Sequence, residues 1–336
     1  MTQRVKIGIV GIGGYGKKLT DAISRAKNLE LAACCHPKKE TAEECAEKYR
    51  CRPFCDFEEM LKDEKINGVI IATPNHLHCE QIKACARNKK NIFVEKPITN
   101  KLEEAEEVIR ECENKDIIMM VGHNFRRGDA MRKMKQYIDN KKIGDFVSAE
   151  INISHSGGMK FDKNQWRYYR DKCPGGPLIM AGVHAAELSN YFFGPAKRVV
   201  ARVKNLYAPT ETEDTSMLLL ELESGGVVYI CNNYNVPATY FLRVYGTKGI
   251  LEYNYYKKTL TIQAEDTNRE QGAIESIDFK QNDTILEQLE EFGSCILGGK
   301  KPETDGKAAF NALAIVEAAL LSQKENKFIE VKKLAL

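Results

Sequence analysis

The chain has 336 residues, with 50 Lys and Arg against 47 Asp and Glu, a formal net charge of +3. So small a surplus excludes an electrostatic case for nucleic-acid or anionic-membrane partners. Hydrophobic residues at 43% and charged residues at 29% are ordinary for a globular protein, and the length predicts two domains at about 150 residues each.

No apolar run approaches the ~20 residues that a membrane span requires. The first strand-like run begins within five residues of Met1, which leaves no room for a signal peptide and predicts a cytoplasmic location. The eleven cysteines are odd in number, lie in a long chain and repeat no metal-binding spacing. They are read as reduced, mostly core residues, with no metal site, and Cys34 and Cys35 fall inside a predicted buried strand. Cys51 and Cys55 are the two for which pairing or metal binding stays open.

Strand patterns come first at Val5–Val10, Leu29–Cys35, Gly68–Ala72, Asn91–Val94 and Ile117–Val121. Helical patterns lie between them at Lys17–Ala26, Lys39–Tyr49, Cys79–Asn88 and Leu102–Asn114, with a helical turn at Glu58–Leu61 and Asn100 as a candidate cap. Short apolar runs separated by amphipathic helices predict a parallel sheet covered on both faces, an α/β Rossmann domain over 1–122.

The first of these strands runs into Gly11-x-Gly13-x-x-Gly16, and a helix follows without a break. That context raises GxGxxG above coincidence. Gly11 permits the tight turn, Gly13 the approach of a pyrophosphate, and Gly16 close packing of helix on strand. Gly14 and Tyr15 complete the loop. The helix N-terminus then presents unpaired N–H groups to phosphate.

After the second strand a Rossmann fold that binds NAD carries an acid about twenty residues past the last glycine. Here that position is His36, followed by Pro37, Lys38 and Lys39. Without the acid nothing repels a 2′-phosphate, and Lys38 and Lys39 can pair with it. This predicts NADP(H) over NAD(H), unless both lysines simply belong to a solvated helix start.

Three later strand ends carry polar residues. Thr73-Pro74-Asn75-His76-Leu77-His78 offers Thr73, Pro74, Asn75 and His78 to a ribose or nicotinamide, or else caps a helix. Glu95-Lys96-Pro97 sits at the carboxyl end of the sheet, where open α/β folds bind ligands. A lysine there can stabilise a developing alkoxide, or it is a surface lysine; the proline is a candidate for the cis form. Gly122-His123-Asn124-Phe125-Arg126-Arg127 offers Asn124 to the nucleotide and the arginines to an acidic substrate or to solvent.

Beyond residue 122 the texture changes. A helix is expected at Asp129–Asn140, a strand at Phe146–His155, a Gly-, Tyr- and Lys-rich functional loop at 156–177 and a buried helix at Leu178–Phe193. Strands follow at Lys197–Tyr207, Thr215–Leu222, Val227–Tyr234, Tyr240–Tyr245, Ile250–Asn254 and Thr259–Gln263, then helices at Ile285–Ile296 and Gly306–Lys324. The pattern predicts an α+β domain over 123–336 with a large, open, mostly antiparallel sheet. An open sheet needs covering, so a homodimer or homotetramer through that face is expected.

Together these motifs resemble the Gfo/Idh/MocA family, named for glucose-fructose oxidoreductase, inositol dehydrogenase and rhizopine catabolism. GIGGYG at Gly11–Gly16, ATPNHLH at Ala72–His78, EKP at Glu95–Pro97, GHNFRR at Gly122–Arg127, the segment Trp166–Leu188 and Asp305-Gly306 stand in family order. The resemblance implies an NAD(P)-dependent oxidoreductase that interconverts a secondary alcohol and a ketone on a sugar, inositol or related substrate. The nicotinamide would lie in a cleft between the domains. It implies Lys96 and His184 as the catalytic pair, His184 exchanging the proton. Trp166, Arg167 and Tyr168, with Arg126, are candidate substrate contacts through ring stacking and charge; packing of Trp166 at the domain boundary is the other reading.

One departure from the family stands four residues before His184, where many polyol dehydrogenases have aspartate and this chain has Met180. Methionine neither transfers a proton nor binds a hydroxyl strongly. Tyr168 and Tyr169 are candidate substitutes, and Glu187 is placed to orient the imidazole. Two other readings of the same fold stay open: a non-catalytic NAD(P)-binding sensor, and a redox-assisted glycoside hydrolase that recycles its cofactor.

Overall fold

A computed structural model describes residues 3–264 and 272–335. Its first sheet contains β1 (Val5–Val10), β2 (Leu29–Cys35), β3 (Arg52–Phe54), β4 (Gly68–Ile71), β5 (Asn91–Val94) and β6 (Met119–Val121). The helices between them are α1 (Gly14–Arg25), α2 (Lys39–Tyr49), α3 (Phe57–Leu61), α4 (His78–Arg87) and α5 (Leu102–Asn114). All strands are parallel in the order β3-β2-β1-β4-β5-β6. This is the doubly wound order, with its switch point between β1 and β4. Every residue of β4 is buried, which is why central strands read as unbroken apolar runs.

Local physics explains where boundaries differ from expectation. The sixth strand starts at Met119 rather than Ile117, because the Ile117 N–H closes the end of α5 on Cys112 at 2.9 Å. β3 carries Pro53 at the sheet edge, where a missing N–H is tolerated, and so has a weak strand pattern. The residue that caps α5 is Lys101 rather than Asn100.

Among the described residues the second sheet has nine strands. After α6 (Asp129–Asp139) come β7 (Phe146–Ser154), α7 (Val183–Phe193), β8 (Ala196–Lys204), β9 (Thr215–Leu222), β10 (Val227–Asn233), β11 (Thr239–Gly246), β12 (Gly249–Asn254), β13 (Thr259–Ala264) and β14 (Ile274–Ser276). The chain ends with α8 (Thr284–Gly298), α9 (Gly306–Glu325) and β15 (Ile329–Glu330). The order is β14-β13-β12-β11-β7-β10-β9-β8-β15, antiparallel except where β10 runs parallel to β7. One face is buried and the other is open. In β9, Ser216, Leu218, Leu220 and Leu222 are buried while Met217 and Leu219 are exposed. Tyr229 of β10 pairs opposite Leu219 on the open side. The expected single helix over 178–193 begins instead as a π-turn at Leu178–Gly182.

Two compact units result. The first holds residues to Asn124, Asp283–Phe310 and the last residues from Leu334; the second holds Phe125–Asn282 and Asn311–Lys333. The units are therefore not the contiguous spans 1–122 and 123–336. α8 joins the first unit because Phe292 meets Phe93 edge-on, ring centroids 5.9 Å apart. Phe292 and Leu289 are fully buried there, each contributing ~2–3 kcal/mol of apolar burial as an upper bound.

Candidate active site

In the first unit, the Gly11–Gly16 turn is built for close approach. Gly11 has φ +88°, and a Cβ there would stand 2.5 Å from the Ala72 carbonyl carbon. A Cβ on Gly16 would run into the Gly11 carbonyl oxygen. Gly13 and Gly14 face open space instead, with no atom within 4 Å of a built Cβ. Gly13 is the N-cap of α1 and offers no side-chain acceptor, and the first turn holds no acid. The N–H groups of that turn thus have neither a capping side chain nor a competing carboxylate, which suits a dinucleotide pyrophosphate. Tyr15 stands in the same turn. Burial and the carboxyls of Glu95 and Asp283 push its phenol up, and the Lys18 ammonium lies 5.7 Å from its ring centroid.

At the end of β2, His36 is half-buried and its Nδ1 accepts the Lys38 N–H at 3.1 Å. Lys38 and Lys39 are exposed, and Lys39 makes only a 3.7 Å contact with exposed Glu43, an interaction worth little. After β4, Pro74 leads the short 3-10 turn Asn75–Leu77. Asn75 is buried, and Thr73 donates its hydroxyl to Gln81 Oε1 at 2.5 Å.

His78 is committed to the fold. It is fully buried, with Nδ1 2.8 Å from the Pro97 carbonyl and Nε2 3.0 Å from the Thr73 carbonyl. Burial pushes its pKa down to about 4. A neutral imidazole has one N–H, so the two carbonyls compete for it. The expected nucleotide contact at His78 is corrected to a bracket that ties the β4 and β5 loops together.

β5 delivers Glu95 buried and Lys96 half-buried, and the Lys96–Pro97 bond is cis. Glu95 Oε2 accepts the Lys96 N–H at 3.3 Å, while Oε1 has no hydrogen-bond partner among the described residues. Burial, partly offset by Lys96, raises the Glu95 carboxyl to about 7. Gly122 leaves the space it needs, since a Cβ there would lie 2.7 Å from Oε1. Asn124 donates its amide to Thr284 Oγ1 at 2.8 Å.

In the second unit, α7 presents His184, 6% exposed. Its ring lies flat on Phe125, centroids 4.0 Å apart and planes 3° from parallel. Phe125 stacks in turn on Tyr240 at 5.3 Å. Arg126, read from sequence as a substrate contact, is buried. Its guanidinium pairs with buried Glu187, one turn past His184, and lies 4.5 Å over the Tyr191 ring. That expectation is corrected: the charge of Arg126 is used inside the unit to hold α7.

Trp166–Tyr168 form a 3-10 turn, with the Arg167 guanidinium 4.4 Å over the Trp166 ring. The turn is fastened from outside: Glu211 N–H bonds the Tyr168 carbonyl at 3.0 Å, and Thr212 bonds the Arg167 carbonyl at 3.1 Å. Tyr169 spends its hydroxyl on the Lys163 carbonyl. Met180 lies in the π-turn, half-buried. Among the described residues no group of three or more His, Cys, Asp or Glu is arranged to hold a metal ion. Among the described residues no helix is long and apolar enough to cross a membrane.

Sequence reading missed three contributors. Phe125 sat within the GHNFRR motif but gave no sign of ring contact. The Glu187 partnership with Arg126 spans sixty residues of chain, and Tyr240 lies farther still in a featureless strand.

Comparison with known proteins agrees with this geometry. Residues 5–123 match the oxidoreductase family with an NAD-binding Rossmann fold, and residues 131–252 match the GFO/IDH/MocA C-terminal domain. A myo-inositol 2-dehydrogenase of Thermotoga maritima is 24% identical over 338 residues, covering 98% of this chain and 99% of the relative. A D-xylose 1-dehydrogenase (NADP(+)) of Haloferax volcanii is 25% identical over 331 residues, covering 96% and 99%. A crystal structure of a candidate NADPH-dependent oxidoreductase from Desulfitobacterium hafniense superposes with a TM-score of 0.92 at 30% identity, covering 98% of both chains. A glycine turn open to pyrophosphate, a lysine at the end of the fifth strand and matches to both domains lead to one conclusion: the chain belongs to the Gfo/Idh/MocA oxidoreductase family.

Proposed function

We propose that this protein is an NAD(P)-dependent oxidoreductase that interconverts a secondary alcohol and a ketone on a sugar, inositol or sugar-derived substrate. The observation that carries the reading is the Gly11–Gly16 turn, open at Gly13 and Gly14, at the uncapped start of α1 and in the same unit as the Lys96 loop. When bound, the nicotinamide supplies or accepts a hydride. Gly11, Gly13, Gly14, Tyr15 and Gly16 hold the pyrophosphate side. Thr73, Pro74, Asn75, Glu95 and Asn124 frame the nicotinamide ribose. Lys96 hydrogen-bonds the substrate oxygen and stabilises its negative charge. His184 exchanges a proton with the substrate. Met180 has no proton to give, so His184 carries that role without an aspartate partner. Trp166, Arg167 and Tyr168 contact the sugar ring.

His36, Lys38 and Lys39 favour NADP(H), since no carboxylate stands there to repel a 2′-phosphate. The open face bearing Met217, Leu219 and Tyr229 is the expected homodimer or homotetramer contact.

Two measurements test the proposal. Titration with NADPH and NADH, followed through quenching of the single Trp166, is expected to show tighter NADPH binding. Lys96→Ala is expected to lose turnover by at least ~10²-fold with dinucleotide affinity unchanged. Unchanged turnover refutes the role of Lys96. Absorbance of reduced nicotinamide that stays flat with every sugar and inositol tried would favour a sensor.

A further inference from the structure

The rear of the β2–α2–β3 segment gathers thiols that the oxidoreductase reading does not use. α2 ends in a left-handed residue, Arg50 at φ 56°. The next N–H, that of Cys51, returns to the Ala46 carbonyl at 3.1 Å. This is the six-to-one bond of a Schellman turn. The residue after the left-handed position then packs back on the preceding helical turn. Here those two positions are Cys51 and Cys45.

A third thiol lies beneath them. Cys34 of β2 is fully buried and points at α2, its Sγ 3.4 Å from the Ala42 carbonyl. Cys45 and Cys51 are half-buried and pack on the core cluster that contains Cys34. The three thiols interact pairwise.

We propose that Cys45 and Cys51 are a peroxide-reactive dithiol site, which closes to a reversible disulfide. The Cys45 thiolate attacks one oxygen of hydrogen peroxide. The O–O bond breaks, and Cys45 becomes a sulfenic acid as hydroxide leaves. Cys51 then attacks the Cys45 sulfur. The S–S bond forms, the sulfenic oxygen leaves as hydroxide, and the two thiol protons complete two waters. Two thiols and one peroxide thus give one disulfide and two waters.

The environment assigns the order of events. Hydrogen bonds from Cys34 and Cys51, with the Lys48 ammonium, hold Cys45 below the ordinary thiol range. The same contacts and burial push Cys34 up. A thiolate is the attacking form, so Cys45 reacts first. Cys51 is raised partly by the charge on Cys45, and that charge vanishes once Cys45 carries oxygen. Cys34, with no exposed surface, stays reduced.

The test uses the full-length protein. It is treated with hydrogen peroxide, blocked with N-ethylmaleimide in denaturant, digested with trypsin and read by mass spectrometry. Lys48 and Arg50 allow trypsin to separate Cys45 from Cys51. Arg52 precedes Pro53, so Cys51 and Cys55 stay on one peptide, and Cys55→Ser protein is run in parallel.

The expected result is a Cys45–Cys51 linked pair in both proteins, about 2 Da lighter than the two thiol peptides and split by dithiothreitol. Cys51→Ser should leave a Cys45 sulfenic acid that dimedone traps. Cys45 should react at least ~10-fold faster than exposed Cys55. Linkage of Cys45 to Cys34 or Cys55 overturns the proposal. So does equal reactivity of all thiols, or an equal yield of the linked pair in urea-unfolded protein.

Discussion

Replacing Glu95 by glutamine isolates the cost of the buried carboxyl beside Lys96. Glu95 is 8% exposed, and burial lifts its carboxyl from 4.5 to about 7. The sign follows from the direction. The folded chain holds a proton that the unfolded chain releases above pH 4.5, so stability from this group is full below that pH. It is lost as the pH rises through about 7. At about 1.4 kcal/mol per pH unit of separation, the ionised carboxylate opposes folding by about 3 kcal/mol above pH 8. Glutamine has the shape and neutrality of the protonated acid. Its oxygen can keep the bond from the Lys96 N–H. Glu95→Gln and the parent should therefore be equally stable near pH 4.5. The variant should gain up to about 3 kcal/mol by about pH 8. Urea unfolding of the dinucleotide-free proteins across this range, followed by circular dichroism, measures the gap. Other titrating groups are common to both proteins and cancel. A gap that is flat with pH, or that widens toward acid, would refute the burial argument.

Two further substitutions probe buried polar groups. Gln288 of α8 is fully buried, and neither amide atom has a hydrogen-bond partner among the described residues. Gln288→Leu should stabilise by about 1–2 kcal/mol and raise the thermal midpoint; a lower midpoint would mean that the amide is satisfied in solution. Arg126→Leu removes the guanidinium paired with buried Glu187 and should cost about 3–5 kcal/mol. Adding Glu187→Leu should recover most of that loss in denaturant titration. A double variant as unstable as the single one would show that packing over Tyr191, rather than charge pairing, is what Arg126 supplies.

Much of the first unit was legible because its elements are encoded locally. β1, β2, β5, α2 and α5 begin and end where their patterns do, since an apolar run or a helical period records which face is buried. The glycine turn was legible because its spacing between a strand and a helix is local, although the close contact that constrains Gly11 comes from Ala72 after β4. Boundaries slipped where a backbone group had a competing partner, as at Ile117, or where the helix was underwound into a π-turn, as at Leu178–Gly182.

Tertiary structure decided the rest. It placed α8 with the first unit, where Phe292 meets Phe93. It turned Arg126 inward to Glu187, set His78 between two backbone carbonyls, and laid Phe125 on His184. It also set Cys34 beneath Cys45 and Cys51. None of these has a local signature. A residue's neighbours in sequence determine its backbone and the face it turns inward. Whether a charge, ring or thiol is then used on substrate, on the fold or on another side chain depends on partners brought close only by packing.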